Sequence, residues 1–279
     1  MNQFKWTEYY SQLIERNIGI ISEEEQEQLR TTIIALFGVG GMGGRVAEIL
    51  VRSGCENLRI IDHDRYSISN LSTQFITKND IGKIKVDVLS EKLHEINPNA
   101  VIRKYYSVTE NNISPILEDT DLATLTLDGP LASILVAREC RKRNIPLVEA
   151  WSLPYAYAWW FTQGSMDYES CYKLETRDLN YSQLNAMPTL AQHFRDRIFS
   201  MLERFPGFGK YYNYANNSIE KMRNGSISLR SFAPFVFMTS SFIANELIFA
   251  GILKRKHMNL APEIHAFDYF TANVWRFQV

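Results

Sequence analysis

Residues 33–43 read IIALFGVGGMG, a short apolar run that leads directly into a glycine-rich turn. Five consecutive apolar residues have the length of a buried strand, and the segment after the turn, GGRVAEILVRSG, has its apolar residues at helical spacing. Glycines between a strand and a helix let backbone N–H groups approach an anion at the positive helix end, where a Cβ would obstruct them. The stretch therefore predicts a phosphate-binding turn. Its candidate binding residues are Gly38, Gly40 and Gly43.

The alternation of strands and helices continues beyond this turn. Apolar runs of strand length occur at LRIID (residues 58–62), AVIRKYY (100–106), LATLTLD (122–128) and PLVEAW (146–151), with helical patterns between them. Strands and helices in this order require right-handed crossovers. The pattern predicts the α/β class, a Rossmann-like, doubly wound and mostly parallel sheet.

The pattern changes near residue 151. WSLPYAYAWWFTQ (151–163) is rich in aromatic residues and predicts added, antiparallel strands, and IHAFDY (264–269) with NVWRFQV (273–279) predicts a closing pair. We expect an N-terminal helical segment at residues 1–30 and a single domain at 31–279, with halves at 31–150 and 151–279. The aromatic residues at 151–161 and 210–215 suit either a partner surface or core packing.

Composition excludes several classes of function. The formal net charge is −1, so the chain has no excess of basic residues that would favour binding to nucleic acid or to an anionic membrane. Three cysteines without CxxC spacing predict neither a disulfide framework nor a zinc ribbon. The amino terminus lacks the apolar core of a signal peptide, so we expect a cytoplasmic protein. The apolar segment 232–253 contains Asn245 and Glu246, which favours a core helix over a membrane span.

Polar residues follow the second predicted strand, in IIDHDRYSISNLSTQF (60–75). Asp62 stands where a carboxylate bonds ribose hydroxyls in a nucleotide-binding domain. A site for NAD needs nothing further here, whereas this chain adds polar residues and a lysine that suits a triphosphate. Singly, Asn70 or Gln74 would be a turn residue, but as a set they favour ATP. His63 is expected to point away from its acidic neighbours, as alternate residues of a strand do. The added residues are Asp64, Asn70, Gln74 and Lys85.

These motifs, GVGGMG, IIDHD, SNLSTQ and IGKIKVDVLSEKLHEINP, resemble those of the ThiF/MoeB/HesA family, the bacterial relatives of ubiquitin-activating enzymes. The resemblance runs from about residue 16 to residue 128 and continues more weakly to the closing strands. Enzymes of this family bind ATP and Mg²⁺ and adenylate a carboxylate, usually the C-terminal glycine of a ubiquitin-like protein. The resemblance thus implies an ATP-dependent adenylyltransferase, acting as a homodimer on a ubiquitin-like or sulfur-carrier protein or on a peptide. It also implies that residues 31–150 bind the nucleotide and that 151–279 receive the partner.

The resemblance assigns a role to each matching residue. The phosphate loop is matched by Gly38, Gly40, Gly41 and Gly43. Asp62 matches the ribose-binding acid, and Asp64 the second acid of a DxD motif. The catalytic set is implied to comprise Arg16, which reaches ATP across the dimer interface, Lys85, which contacts the triphosphate, and Asp128, which is associated with Mg²⁺ and the adenylate. Asn70 and Gln74 match the polar residues of the family's SNLxRQ.

Three departures from the family pattern qualify this expectation. Thr73 replaces an arginine that contacts the triphosphate, and Arg45 or Arg65 is a candidate substitute. ESCYKLE (169–175) keeps a single cysteine, Cys171, where many members have a zinc-binding CxxC, so we expect no zinc. Asp128 is followed by Gly-Pro-Leu rather than the family's polar residues, which suggests another substrate.

Alternatives remain open at this point. The tRNA-modifying branch of the family, which dehydrates a threonylcarbamoyl group, also lacks zinc in some members, although nucleic acid is disfavoured by charge. A nucleotide-binding scaffold that has lost turnover through Thr73, and more distantly an NAD-dependent oxidoreductase, are further alternatives. Cys171 is either a nucleophile or an inert thiol, with no neighbouring basic pattern to activate it.

Overall fold

The computed structural model describes residues 4–212 and 217–279 of the chain. The strands are β1 (Ile33–Phe37), β2 (Asn57–Ile61), β3 (Val101–Tyr105), β4 (Leu122–Leu125), β5 (Leu147–Glu149), β6 (Tyr155–Ala156), β7 (Trp159–Phe161), β8 (Glu263–Asp268) and β9 (Val274–Gln278). The helices are α1 (Glu8–Ile14), α2 (Glu23–Thr31), α3 (Gly41–Arg52), α4 (Lys85–Ile96), α5 (Ile113–Leu117), α6 (Pro130–Lys142), α7 (Tyr168–Cys171), α8 (Tyr181–Asn185), α9 (Leu190–Leu202), α10 (Phe208–Tyr212), α11 (Ser218–Arg223) and α12 (Ala233–Asn245). Helix α12 continues into a π-helical turn, Glu246–Ile252, and short 3₁₀ turns occupy Glu15–Asn17, Ile68–Ser72 and Lys78–Asp80.

The main sheet has six strands in the order β3-β2-β1-β4-β5-β7. The first five are parallel, and β7 pairs antiparallel with β5. Strand β1 is nearly all buried because helices cover the sheet, which explains its uninterrupted apolar run. The strand order reverses between β1 and β4, and ligands of such sheets bind outside the carboxyl ends at that point. The predicted Rossmann-like α/β fold is confirmed.

A separate antiparallel sheet, β6-β8-β9, completes the carboxyl-terminal half. The added antiparallel strands and the closing pair are therefore as predicted. Tyr155, Tyr157, Trp159 and Trp160 are fully buried, so these aromatic side chains pack the core and do not form a surface. In the second aromatic stretch, residues 213–215 lie outside the described part of the chain.

Helix α12 packs against the helix that follows the glycine turn. Among the described residues, one helix, Ala233–Ile252, has the length and apolar composition of a membrane span, and more than half of it is buried. Ser240 Oγ donates to the Met42 carbonyl at 3.2 Å. Glu246 accepts from Trp160 Nε1 at 3.0 Å and pairs with Lys256 Nζ at 2.5 Å. These are the contacts of a core helix, in agreement with the prediction.

The N-terminal helices pack at the far end of α3 from the glycine turn. Tyr10 Oη donates to the Gly54 carbonyl at 2.8 Å, and Gln26 Nε2 donates to the Ser53 carbonyl at 3.0 Å. Gly54 has φ +92°, and a Cβ there would lie 2.3 Å from Gln26 Nε2. The glycine is therefore required both for the end of α3 and for the close approach of this segment.

Candidate active site

The glycine turn connects β1 to α3, and a side chain would not fit at Gly38 or at Gly43. Gly38 has φ +89°, and a Cβ there would lie 2.6 Å from the Thr126 carbonyl oxygen. A Cβ on Gly43 would lie 1.9 Å from the Gly38 carbonyl oxygen. Gly40 caps α3 without any side-chain hydrogen bond, so the first N–H groups of the helix have no side-chain cap. This is the backbone arrangement that binds a phosphate.

Thr126 holds the turn from the neighbouring strand. Its Oγ1 donates to the Gly38 carbonyl at 2.7 Å, and its backbone N–H donates to the Phe37 carbonyl at 2.8 Å. Sequence reasoning overlooked this residue because a threonine at the end of a strand is unremarkable as a strand former. Thr126 lies two residues before Asp128, so the phosphate turn and that acid are attached to one strand end.

Asp62 follows β2 directly and is almost fully buried. Its Oδ2 accepts from the Val39 N–H at 3.0 Å, and its Oδ1 accepts from the Asp64 N–H at 2.9 Å. A carboxylate has about four acceptor positions, so this arrangement leaves capacity for ribose hydroxyls. The side chain thus anchors the glycine turn, and its contact with a ribose stays a prediction.

Lys85 begins α4 and directs a buried ammonium toward the turn. Its side chain is 8% exposed, and Nζ lies 2.7 Å from Asp64 Oδ2 and 3.9 Å from Asp62 Oδ2. Nζ also lies 3.9 Å from the position of a Cβ on Gly40, and Gln74 Nε2 lies 3.6 Å from the same position. A cation and an amide group therefore converge on the centre of the glycine turn.

Asp64 is the exposed member of this acidic pair. Partial burial opposes its ionisation, but the hydrogen bond and charge of Lys85, aided by His63, hold the pKa of Asp64 below its ordinary value. His63 Nε2 lies 3.3 Å from Asp64 Oδ1, so the expectation that His63 points away from the acids was wrong. Strand β2 ends at Ile61, and the alternation of a strand does not extend to these residues.

Asn70, Thr73 and Gln74 lie on the segment that borders the turn. Asn70 Oδ1 accepts from the Ser67 N–H at 2.9 Å, so this side chain stabilises a local turn. Thr73 is buried, with Oγ1 3.4 Å from the Cβ position on Gly41. Gln74 Oε1 is buried without a hydrogen-bond partner among the described residues, a group that a ligand hydroxyl or amino group could satisfy.

The two arginines considered as substitutes for the family arginine differ in position. Arg45 Nη1 pairs with Glu48 at 2.8 Å, its Nη2 donates to the Gln74 carbonyl at 3.3 Å, and its guanidinium lies 4.4 Å from the centroid of the Phe237 ring. It therefore stands beside the Thr73 segment. Arg65 Nη1 instead donates to the Gly82 carbonyl at 2.9 Å and is exposed.

A cavity of about 210 Å³ opens at the carboxyl ends of β4 and β5. Asp128, Trp151, Leu229 and Arg230 are among its lining residues, together with Met42 from the first turn of α3. Asp128 is exposed and makes no hydrogen bond or ion pair within residues 4–212 and 217–279. A free carboxylate is a ligand that Mg²⁺ accepts together with phosphate oxygens, so the residue fits its predicted association with the metal.

Glu149 forms part of the cavity wall at the end of β5. Trp159 Nε1 and Tyr168 Oη donate to its carboxylate at 3.2 Å each, and Tyr172 Oη donates at 2.6 Å. Tyr172 Oη accepts in turn from Trp151 Nε1 at 2.8 Å. Burial raises the pKa of Glu149 to about 7, although these hydrogen bonds oppose the rise. In the sequence, Glu149 is an acidic residue within an apolar run of strand length. Such a run predicts a strand and does not by itself identify a site residue.

Cys171 has the environment of an inert thiol. It is 3% exposed in α7, and burial raises its pKa well above the ordinary value. A nucleophilic thiol requires the opposite.

Arg16 lies far from the glycine turn of its own chain. It is exposed in the 3₁₀ turn whose last residue, Asn17, donates from Nδ2 to the Ser53 carbonyl at 3.2 Å. Ser53 ends α3, whose 12 residues span about 18 Å from the glycine turn. The structure therefore does not bring Arg16 to the other predicted site residues of the same chain.

The family model for ThiF matches residues 14–279. The chain belongs to the ThiF family. Sequence relatives of this ThiF-family chain include the tRNA threonylcarbamoyladenosine dehydratase of Bacillus subtilis, 32% identical over 48% of this chain and 54% of the relative. A probable molybdopterin-synthase adenylyltransferase of Gracilaria tenuistipitata is 28% identical over 50% and 39%. Ubiquitin-like modifier-activating enzyme 5 of Bombyx mori is 35% identical over 36% and 25%. The alignments thus span about half or less of these relatives.

Solved structures share the fold over nearly the whole chain. PaaA superposes with a TM-score of 0.68 at 15% identity, covering 100% of this chain and 86% of PaaA. Escherichia coli MccB with ATP superposes with a TM-score of 0.64 at 18% identity, covering 98% and 72%. At such identities the likeness concerns the fold.

Proposed function

We propose that this ThiF-family chain is an ATP-dependent adenylyltransferase that activates a carboxylate as an acyl-adenylate. The observation that carries the proposal is the convergence of the Lys85 ammonium and the Gln74 amide on Gly40, at a helix end without a side-chain cap. A dinucleotide site needs the glycine turn and the ribose acid, but not a buried lysine aimed at the turn. This concentration of positive potential suits a triphosphate.

The proposed reaction joins a carboxylate oxygen of the substrate to the α-phosphorus of ATP and breaks the bond to the departing pyrophosphate. A terminal carboxylate is already ionised at neutral pH, so the reaction needs no general base. Lys85 offsets the repulsion between carboxylate and phosphates, and the backbone N–H groups of the glycine turn orient the triphosphate. Asp128 would hold Mg²⁺, whose charge would further neutralise the phosphates.

The sheet divides this site into two halves. The glycine turn, Asp62 and Lys85 lie over β1 and β2, whereas the cavity lies over β4 and β5, with Asp128 after β4. We assign the first half to the nucleotide and the second to the carboxylate substrate. The C-terminus of a ubiquitin-like or sulfur-carrier protein, or of a peptide, is the proposed substrate. The names of relatives support it, since they include an enzyme that activates ubiquitin-like modifiers and MccB crystallised with MccA.

We further propose that the active form is a cytoplasmic homodimer in which Arg16 serves the partner's site. The support is the exposure of Arg16, its distance from its own glycine turn and the neighbouring Ile20, which is 70% exposed. Mixing Arg16→Ala with Lys85→Ala protein, each inactive alone, should restore about a quarter of the sites, because exchange creates dimers with one intact site. Absence of recovery, despite proven subunit exchange, would argue that each site is built from one chain.

The decisive test of the activity is exchange of labelled pyrophosphate into ATP, in the presence of Mg²⁺ and candidate proteins or peptides with free C-termini. Exchange that depends on the carboxylate supports the proposal. ATP binding without exchange for any carboxylate favours a nucleotide-binding scaffold that has lost turnover through Thr73. Binding of NAD without binding of ATP would refute the assignment of the nucleotide.

The Bacillus subtilis relative favours a second candidate, a tRNA threonylcarbamoyladenosine dehydratase. The net charge of −1 argues against it, because binding of tRNA relies on a basic surface that neutralises phosphates. A filter-binding titration with tRNA that carries threonylcarbamoyladenosine distinguishes the two. Salt-sensitive binding with ATP consumption would favour the dehydratase over the activation of a protein or peptide.

A further inference from the structure

We propose that the cavity over β4 and β5 receives the side chain of the substrate's C-terminal residue, and that this side chain is apolar and of leucine to phenylalanine size. The inference rests on the proposed adenylation of a C-terminal carboxylate. It adds a substrate class, a chain that ends in a bulky apolar residue rather than in glycine.

The position of the cavity supports this assignment. Its wall includes Met42, in the first turn of α3 where phosphate is expected, and Asp128, beside the expected metal. We place the attacking carboxylate between these two residues, because one marks the expected phosphate and the other the expected metal. The carbon atom next to that carboxylate carries the side chain of the C-terminal residue, and the space that adjoins it is this cavity.

The size of the cavity excludes a glycine-sized occupant as its natural fit. A cavity of 150 Å³ lined by aliphatic and aromatic side chains binds benzene, and this one measures about 210 Å³. Its wall is mainly apolar, with contributions from Phe199, Phe208 and Met222. A leucine or phenylalanine side chain would therefore exclude water from the apolar wall of the cavity, whereas a C-terminal glycine would leave that wall in contact with water.

Two charged residues on the cavity lining, Glu149 and Arg230, are compatible with an apolar occupant. Glu149 accepts three hydrogen bonds from protein donors and is 2% exposed, so little of its acceptor capacity faces the cavity. Arg230 lies on the lining but is exposed, and its guanidinium makes no hydrogen bond or ion pair within the described ranges. We assign it to the polar end of the substrate at the mouth, which directs the apolar end inward.

The test uses stable mimics of the acyl-adenylate, in which a sulfamoyl group replaces the phosphate. N-acetylglycyl, N-acetylleucyl and N-acetylasparaginyl sulfamoyl adenosine are titrated calorimetrically into the full chain. Leucine and asparagine have nearly the same shape but opposite polarity. We expect the leucyl mimic to bind about 10- to 100-fold more tightly than the glycyl mimic, because burial of one large apolar side chain increases the binding affinity by about that factor. The asparaginyl mimic should bind no better than the glycyl mimic.

A variant at the rim localises the effect. Leu229 is 41% exposed on the cavity lining, so Leu229→Trp should fill the cavity without disturbing the core. It should reduce the affinity for the leucyl mimic about tenfold more than the affinity for the glycyl mimic, which has no side chain to enter the filled space. The matched control is Leu260→Trp, at a leucine that is 37% exposed and not on the lining, and it should change neither affinity.

The outcomes separate this inference from the proposed function. Equal affinities for the leucyl and glycyl mimics, or tighter binding of the asparaginyl mimic, overturn the inference while leaving adenylation intact. A leucyl preference that Leu229→Trp does not reduce also overturns it, because the preference then arises elsewhere. If none of the mimics binds and no pyrophosphate exchange occurs, both the inference and the adenylation fail.

Discussion

Replacement of the buried Glu149 by glutamine should change how the stability of the fold depends on pH. The pKa of Glu149 is raised from its ordinary 4.5 to about 7 in the folded chain, chiefly by burial. The folded state therefore holds the proton more strongly than the unfolded state does. The stability that this provides is complete below pH 4.5 and is lost as the pH rises through 7. Glutamine carries no charge at any of these pH values, and its stability contribution should not change.

The size of the effect follows from the two pKa values. Each unit of pKa corresponds to 1.36 kcal/mol. The rise of the Glu149 pKa from 4.5 to about 7 therefore means that ionisation of Glu149 lowers the free energy of unfolding by about 3 kcal/mol. Between pH 5 and pH 8, about 2–3 kcal/mol of this should be lost from the wild type and not from Glu149→Gln. Because whole domains are stable by about 5–15 kcal/mol, the difference is readily measured.

The assay is urea unfolding of both proteins at pH 5 and pH 8, comparing the change in unfolding free energy rather than its absolute value. Glu246→Gln is the matched control, since Glu246 is equally buried and also accepts from a tryptophan N–H, but is paired with Lys256. It should lower stability to a similar extent at both pH values. Parallel pH profiles for wild type and Glu149→Gln would refute the reasoning and would mean that Glu149 is not a buried carboxyl held near neutrality.

Three further predictions concern the nucleotide half of the site. Lys85→Ala should weaken ATP binding about 10- to 150-fold, the value of a charged hydrogen bond, while Lys83→Ala at a neighbouring exposed lysine should leave it unchanged in calorimetry. Gly43→Ala should lower the unfolding free energy by at least about 1–3 kcal/mol, because its Cβ would overlap the first carbonyl of the turn. Gly129→Ala, where a Cβ meets nothing within 4 Å, is its control, and equal effects of the two substitutions would contradict the steric overlap at Gly43. Thr126→Val should cost about 1 kcal/mol in urea unfolding by removing the hydroxyl that holds the turn, and no loss would show that the bond is dispensable.

The fold was largely predictable because its signals are local. The run IIALF coincides with β1, and most of the helical pattern GGRVAEILVRSG lies in α3. Burial on both faces makes the parallel strands continuously apolar, and helices of a regular length separate them. The error at His63 arose from the same rule, applied beyond the end of β2.

The site was predictable only where its residues are close in sequence. The glycine turn and Asp62 belong to one βαβ unit, β1-α3-β2, so their positions follow from a short stretch of sequence. Thr126, Glu149 and Arg230 come from three separate segments and meet the site only through the sheet order and the packing of the carboxyl-terminal half. A hydroxyl in a strand, an acid in an apolar run and an arginine in a loop have no periodicity that would identify them.

The bond from Thr126 to Gly38 makes the site preorganised. The strand end that carries Asp128 is tied to the glycine turn, so the spacing between phosphate cradle and carboxylate is set when the chain folds. Under the proposed function, ATP would find both groups in place, and its binding would cost the protein little conformational entropy. The same rigidity would limit adaptability, because a fixed spacing between the glycine turn and Asp128 suits a ligand of one length. Which phosphorus is attacked would thus be determined by the backbone, before any substrate arrives.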